Sequence, residues 1–152
     1  EHLFRVIADC ITVYSMVLLD PDGTIVSWTR GAQIIEGYSA EEALGRHAGA
    51  LGADPALDLR DVLNDAATHG HAEIEHWRVR KDGDRYWAHI TISATRNEDG
   101  RLIGFLRILR DDTARLMAEQ DFRERQERLA SSELYFRRLI EYSADAITIR
   151  SR

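Results

Sequence analysis

One cysteine, Cys10, stands in 152 residues. No internal disulfide can therefore staple the chain, and no cysteine-based zinc cluster can form. The longest apolar run, around residues 16–19, falls far short of the ~20 residues that cross a bilayer. No basic-then-apolar segment opens the sequence, as a secretory signal would. No Gly-rich loop leads into Lys-Ser/Thr to cradle a phosphate. No ordered Ser/His/Asp set, kinase phosphoacceptor box or cyclase signature occurs, so these residues are not expected to be an enzyme. The sequence opens at Glu1 and stops in mid-pattern at Arg152, which reads as a piece of something longer.

Positive charge is also short. Residues 1–113 hold 12 Lys/Arg against 19 Asp/Glu. An acidic body disfavours nucleic acid, whose affinity rests on phosphate neutralisation, and it disfavours anionic membrane surfaces. No nucleic-acid partner and no direct membrane contact are expected, and the setting is expected to be cytoplasmic. Residues 114–141 balance 6 Arg against 6 acids. What is present is the composition of a folded chain, 44% apolar and 30% charged. At this length one core can bury roughly 70% of the unfolded surface, enough for one domain and a tail.

The pattern along the chain predicts two strands, 13–19 and 24–28, around the Asp20-Pro21-Asp22-Gly23 turn. Ser39 followed by Glu42 forms a capping box at the head of a very short helix. In residues 58–69, Leu59, Val62, Leu63, Ala66 and Ala67 make one apolar helical face, with Asp58 as N-cap and Gly70 at the end. Three strands are predicted at 71–80, 85–95 and 101–110, each closed by turn residues. In the middle one Ala88, Ile90, Ile92 and Ala94 alternate with Trp87, His89, Thr91 and Ser93, so one face is buried. Residues 114–141 lack Gly and Pro and read as one long helix. Phe122, Leu129 and Phe136 are spaced by sevens as in a coiled coil, but Arg125 and Ser132 interrupt the seam, and a solvated linker helix is the equal alternative. Phe136-Arg137-Arg138-Leu139 echoes Phe4-Arg5-Val6-Ile7, so 142–152 looks like the start of a second domain of the same kind.

Four stretches in this order carry a family resemblance. They are Leu19-Asp20-Pro21-Asp22-Gly23-Thr24-Ile25 with Trp28, then Glu36-Gly37-Tyr38-Ser39-Ala40-Glu41-Glu42-Ala43-Leu44-Gly45-Arg46, then Trp77-Arg78-Val79-Arg80-Lys81-Asp82-Gly83-Asp84-Arg85-Tyr86-Trp87-Ala88, and last Asp99-Gly100-Arg101-Leu102-Ile103-Gly104-Phe105 closing on Arg110-Asp111-Asp112-Thr113. Over residues 3–113 the chain resembles a PAS domain. The resemblance implies an α+β fold: a five-stranded antiparallel sheet with short helices on one face, followed by a long C-terminal signalling helix. It implies a domain at 1–113, a linker helix at 114–141 and a truncated second domain at 142–152. It also implies a sensory and dimerisation module whose output domain, most often a histidine kinase, lies elsewhere in the same chain. Asp111, Asp112 and Thr113 resemble the family's junction with its signalling helix, where their oxygens would cap the helix amides.

Within the family, the light-sensing LOV branch carries its photoactive cysteine where Ala48 stands here. Its two flavin-holding asparagines correspond to Arg78 and Ala88, and its flavin-contacting glutamine to Leu109. LOV photochemistry and flavin are not expected. The haem branch places a histidine on the long helix of the domain, and residues 58–68 have none, so haem is not expected either. His69, His71 and His76 read as surface histidines, and no metal site is expected. Candidate ligand-binding residues are Arg78, Ala88, Ile90, Ile92, Leu109 and Trp28, around an unknown small, anionic ligand. Arg78 on the inner face needs a partner, either that ligand or an internal acid such as Glu36. Trp87, of opposite parity, is expected on the outer face under the N-terminal segment or a second subunit. A homodimer through Trp87, Phe122 and Leu129 follows. Three alternatives stay open: a flavin-binding redox sensor, an unliganded relay, and the PAS domain of a cyclic-di-GMP enzyme.

Overall fold

The computed structural model describes residues 2–150, with side chains to residue 144. It divides into two compact units, Glu1–Thr113 and Ala114–Arg152. In the first, α1 (His2–Asp9) is followed by β1 (Ser15–Leu19), β2 (Ile25–Trp28), α2 (Arg30–Glu36), α3 (Ala40–Ala43) and a 3-10 turn at Ala48–Ala50. Then come α4 (Leu59–His69), β3 (His71–Val79), β4 (Arg85–Arg96) and β5 (Leu102–Asp111).

The strands form one antiparallel sheet in the order β2-β1-β5-β4-β3. The chain enters at the middle and leaves at the middle, because β1 and β5 are neighbours. The segment from α2 to α4 carries it from the β2 edge to the β3 edge. Local chemistry sets each end. Asp20 Oδ1 accepts from the Asp22 and Thr24 amides and shapes the β1–β2 turn. Ser39 and Glu42 make the capping box at α3. Asp58 accepts from the Arg60 amide at the head of α4.

The period of two sorts the sheet. Tyr86, Ala88, Ile90 and Ile92 of β4, Phe105, Arg107 and Leu109 of β5, and Ser15, Val17 and Leu19 of β1 are buried on the helix side. They pack against Ala32, Ile35, Leu51, Val62, Leu63 and Ala66. Each fully buried Ile or Leu contributes about 1.5–3 kcal/mol. Two glycines permit close backbone approach. A Cβ at Gly31 would lie 1.9 Å from the Tyr14 carbonyl oxygen. At Gly52, with φ +68°, a Cβ would lie 2.3 Å from the Val79 carbonyl oxygen. The Gly52 carbonyl meanwhile accepts from the Val79 amide, so the loop after the 3-10 turn is clamped to the end of β3.

The N-terminal segment differs from expectation. It forms α1, which packs against α2, and Asp9 Oδ1 accepts from the Arg30 amide at 3.0 Å. That amide is one of the orphan donors at the head of α2, which gives the segment a reason to dock there.

The second unit is the body of α5 (Thr113–Arg150). Arg115–Glu119, Asp121–Arg125 and Glu133–Arg137 pair at i,i+4 along it. Phe122 and Leu129 are 65% and 66% exposed. The helix was expected to stop near 141 but continues to Arg150, since nothing from 114 onward breaks it. The expected second domain at 142–152 rests partly on residues outside those described.

Candidate functional site

Three charged side chains meet inside the domain. Glu36, the last residue of α2, is 2% exposed, Arg78 of β3 is 4% and Arg107 of β5 is 3%. Glu36 Oε1 accepts from Arg78 Nη2 at 3.1 Å. Glu36 Oε2 accepts from the Ser15 hydroxyl at 2.6 Å and from Arg107 Nη2. Arg78 Nη2 also donates to the Leu51 carbonyl at 2.6 Å, and Arg78 Nε donates to the Tyr86 hydroxyl at 3.2 Å. The loop clamped by Gly52 thus presents its carbonyl to the guanidinium. A buried charge of either sign would be costly alone. Here one carboxylate serves two guanidiniums and fastens α2 to β1, β3 and β5.

Burial pushes the Tyr86 hydroxyl above the usual phenol range, with the Glu36 charge adding to it and Arg78 opposing. Burial also lowers the Arg107 guanidinium, with Glu36 pulling it back. It remains a cation, as arginine does in proteins.

Arg78, Ile90 and Ile92 line a small, partly open cavity together with Ala48, Gly49, Ala53, Leu57, Leu59, Ile74, His76 and Arg107. The space open to the centre of a water-sized sphere is about 10 Å³. The other three residues expected around a ligand do not line it. Trp28 is in the core, its indole N–H donating to the Tyr38 carbonyl at 2.8 Å. Ala88 and Leu109 are fully buried in the packed core. The anion beside Arg78 is Glu36 of the same chain, the internal partner named above as the alternative to a ligand.

His76 corrects the reading of surface histidines. His69 and His71 are exposed, but His76 shares the inner parity of Ile74 and Arg78. Both its ring nitrogens are shut off from solvent without a hydrogen-bond partner, as is Arg107 Nε. Burial holds the His76 ring below the usual histidine range, and the Arg78 charge adds to this, with Asp54 opposing. Among the described residues no group of His, Cys, Asp and Glu could hold a metal ion.

Where β5 leads into α5, Asp111 and Thr113 lock the exit. Asp111 Oδ1 accepts from the Thr113 amide at 3.0 Å and its hydroxyl at 2.6 Å. The Thr113 oxygen does not cap the helix as expected. It accepts from the Trp87 amide at 2.8 Å and ties the start of α5 to β4. Asp112 is paired with Arg110. Arg80 joins this junction to the interior. It donates to Asp111 Oδ2 and to the Ile35 carbonyl, both at 2.7 Å. Its guanidinium also sits 4.3 Å from the centre of the Tyr86 ring. Burial raises the Asp111 pKa, but hydrogen bonds from Thr113 and Arg80 outweigh it, and the carboxyl lies below its usual range.

The outer sheet face carries Trp87, half-buried and edge-on to Trp77 with ring centres 5.4 Å apart. Met16, Leu18, Leu106 and Ile108 share that face by parity. No helix among the described residues is long and apolar enough to cross a membrane.

A family model described as "PAS domain" matches residues 13–114. Two-component system protein A of Emericella nidulans is 34% identical over 122 residues, covering 78% of this chain and 18% of that protein. A blue-light-activated histidine kinase of Brucella abortus is 31% identical over 99 residues, covering 63% of this chain and 20% of that protein. The chain therefore spans about a fifth of the length of these relatives. The crystal structure of the PAS domain of a Colwellia psychrerythraea protein superposes with a TM-score of 0.64 at 24% identity, covering 75% of this chain and 99% of that one.

Proposed function

The chain belongs to the PAS domain family, and from that premise we propose that it is the non-catalytic sensory and dimerisation module of a larger cytoplasmic signalling protein. A ligand- or partner-dependent change inside the domain passes through Asp111–Thr113 and α5 to an output domain, a histidine kinase. The two-component and kinase relatives support the choice of output.

The observation that carries the reading is Arg80. One guanidinium bonds the carbonyl next to Glu36, stacks on Tyr86 of the buried network and pairs with Asp111 at the exit. A shift of α2 or of Tyr86 therefore moves a group paired with Asp111, whose other carboxylate oxygen holds Thr113, the first residue of α5. The Thr113 bond to Trp87 makes that residue answer to β4 as well.

Against flavin stands the room available. A ring system needs a pocket of about 300 Å³ or more, whereas this cavity offers about 10 Å³. Ala48, 2% exposed and lining it, brings no thiol. The purified domain is therefore read as colourless, and a stoichiometric flavin or haem spectrum between 300 and 600 nm overturns this. One observation favours an unliganded relay as the second reading: the counter-charge to Arg78 is already supplied by Glu36.

A homodimer is read from the apolar outer face around Trp77 and Trp87 and from exposed Phe122 and Leu129. The relay is tested in the full-length parent protein. Asp111→Asn and Arg80→Met should each change phosphate incorporation into the output domain at least several-fold, with folding retained. Unchanged output in both variants overturns the relay.

A further inference from the structure

Within the buried network positive charge exceeds negative by one, because Asp112, the other buried carboxylate, is taken up by Arg110. Arg78 and Arg107 bring two, and Glu36 returns one. Tyr86 is held protonated and His76 neutral by their surroundings. Asp54, whose charge also reaches His76, is exposed and its Oδ1 accepts from the Ala56 amide, so it faces solvent. Buried polar atoms are almost always hydrogen-bonded. Yet Arg107 Nε and both His76 nitrogens have no partner, and both residues line the same small cavity.

We propose that this cavity binds one small monovalent anion of halide size, held between Arg107 Nε–H and an N–H of His76. Arginine can only donate, so the bound group must accept. The surplus positive charge selects an anion over a neutral acceptor. The volume, about 10 Å³ for the centre of a water-sized sphere, admits a single small ion and excludes a carboxylic acid of metabolite size. Arg78 lines the cavity too, and the other walls, among them Ala48, Leu59 and Ile92, are apolar, so few groups besides the two guanidiniums and His76 compete for the ion.

The inference rests on the sensory reading and supplies the ligand class that reading lacks. An anion at Arg107 Nε competes with Glu36 for the same guanidinium. Glu36 adjoins Ile35, whose carbonyl holds Arg80. Occupancy would thus loosen or tighten the Arg80–Asp111 link.

The test uses crystals of the chain soaked in bromide, with anomalous diffraction at the bromine edge. One bromide peak in contact with Arg107 and His76 is expected. In solution, the melting midpoint should climb with bromide or chloride concentration relative to gluconate at equal ionic strength. The climb should be lost in His76→Phe, which fills the cavity. Arg107→Met is the direct variant; should it fail to fold, His76→Phe and the diffraction experiment still decide. Bromide found only on the surface, or water alone in the cavity at saturating bromide, overturns the proposal. That result leaves the relay standing if Arg80→Met still alters output. Bromide in the cavity with unchanged output in Arg80→Met and Asp111→Asn keeps the site and removes the relay.

Discussion

Replacing Glu36 with Gln keeps the side chain's shape and removes the one negative charge between Arg78 and Arg107. Both guanidiniums are almost wholly buried, so water cannot replace the lost partner. Removing one member of a buried ion pair costs about 3–5 kcal/mol. Here the carboxylate serves two cations, so the upper half of that range applies. The glutamine oxygen can still accept from Arg78, but its amide nitrogen would face the Arg107 donor that now binds Oε2. Trp28, Trp77 and Trp87 all lie in the sheet domain, so tryptophan fluorescence in urea reads that unit alone. With a slope of about 2 kcal/mol per molar, the midpoint should fall by roughly 2 M. Glu98→Gln, exposed in the β4–β5 turn, is the control and should leave it unchanged. A loss below about 1 kcal/mol for Glu36→Gln would show instead that the interior tolerates two unopposed guanidiniums.

Other outcomes follow from the same geometry. The folded pKa of Asp111 is depressed, so its contribution is complete above the unfolded carboxylate range and lost as pH falls through the folded value. Asp111→Asn should flatten the acid limb of the stability curve, and an unchanged limb contradicts the pairing with Arg80 and Thr113. Gly31→Ala puts a Cβ 1.9 Å from the Tyr14 carbonyl oxygen and should cost about 1–3 kcal/mol by overpacking, read from the same urea curves. Deleting residues 114–152 should weaken self-association in sedimentation, and a monomer at high concentration in both forms counts against the dimer.

Much of the site was legible from a period of two. The family resemblance sets Arg78 and Ala88 on the inner face, and from these two positions strand parity carries further. His76 is two residues before Arg78, Tyr86 two before Ala88, and Arg107 two before Leu109, so all three share the inner face. Arg107 is thus a second inward arginine, and it brings the surplus charge. Glu36 and Ser15 were harder. Glu36 ends a short helix whose direction depends on where Gly31 lets the chain cross, and no strand parity reports that. Arg80 was invisible for a different reason. It lies at the turn after β3, where alternation ends, and its partners come from α2 and β5. The volume of the cavity also lay beyond the pattern. Small residues such as Ala88 suggested space, but Tyr86, Arg78 and Glu36 fill much of the interior.

In the proposed relay, Arg80 couples the buried network to the start of α5. Amide hydrogen exchange across residues 111–115 in Arg80→Met tests it most directly. Exchange at these amides should be at least tenfold faster than in the unaltered chain, with β4 and β5 amides at residues 90–92 and 105–109 still protected. Unchanged exchange at 111–115 in a folded Arg80→Met variant would contradict it.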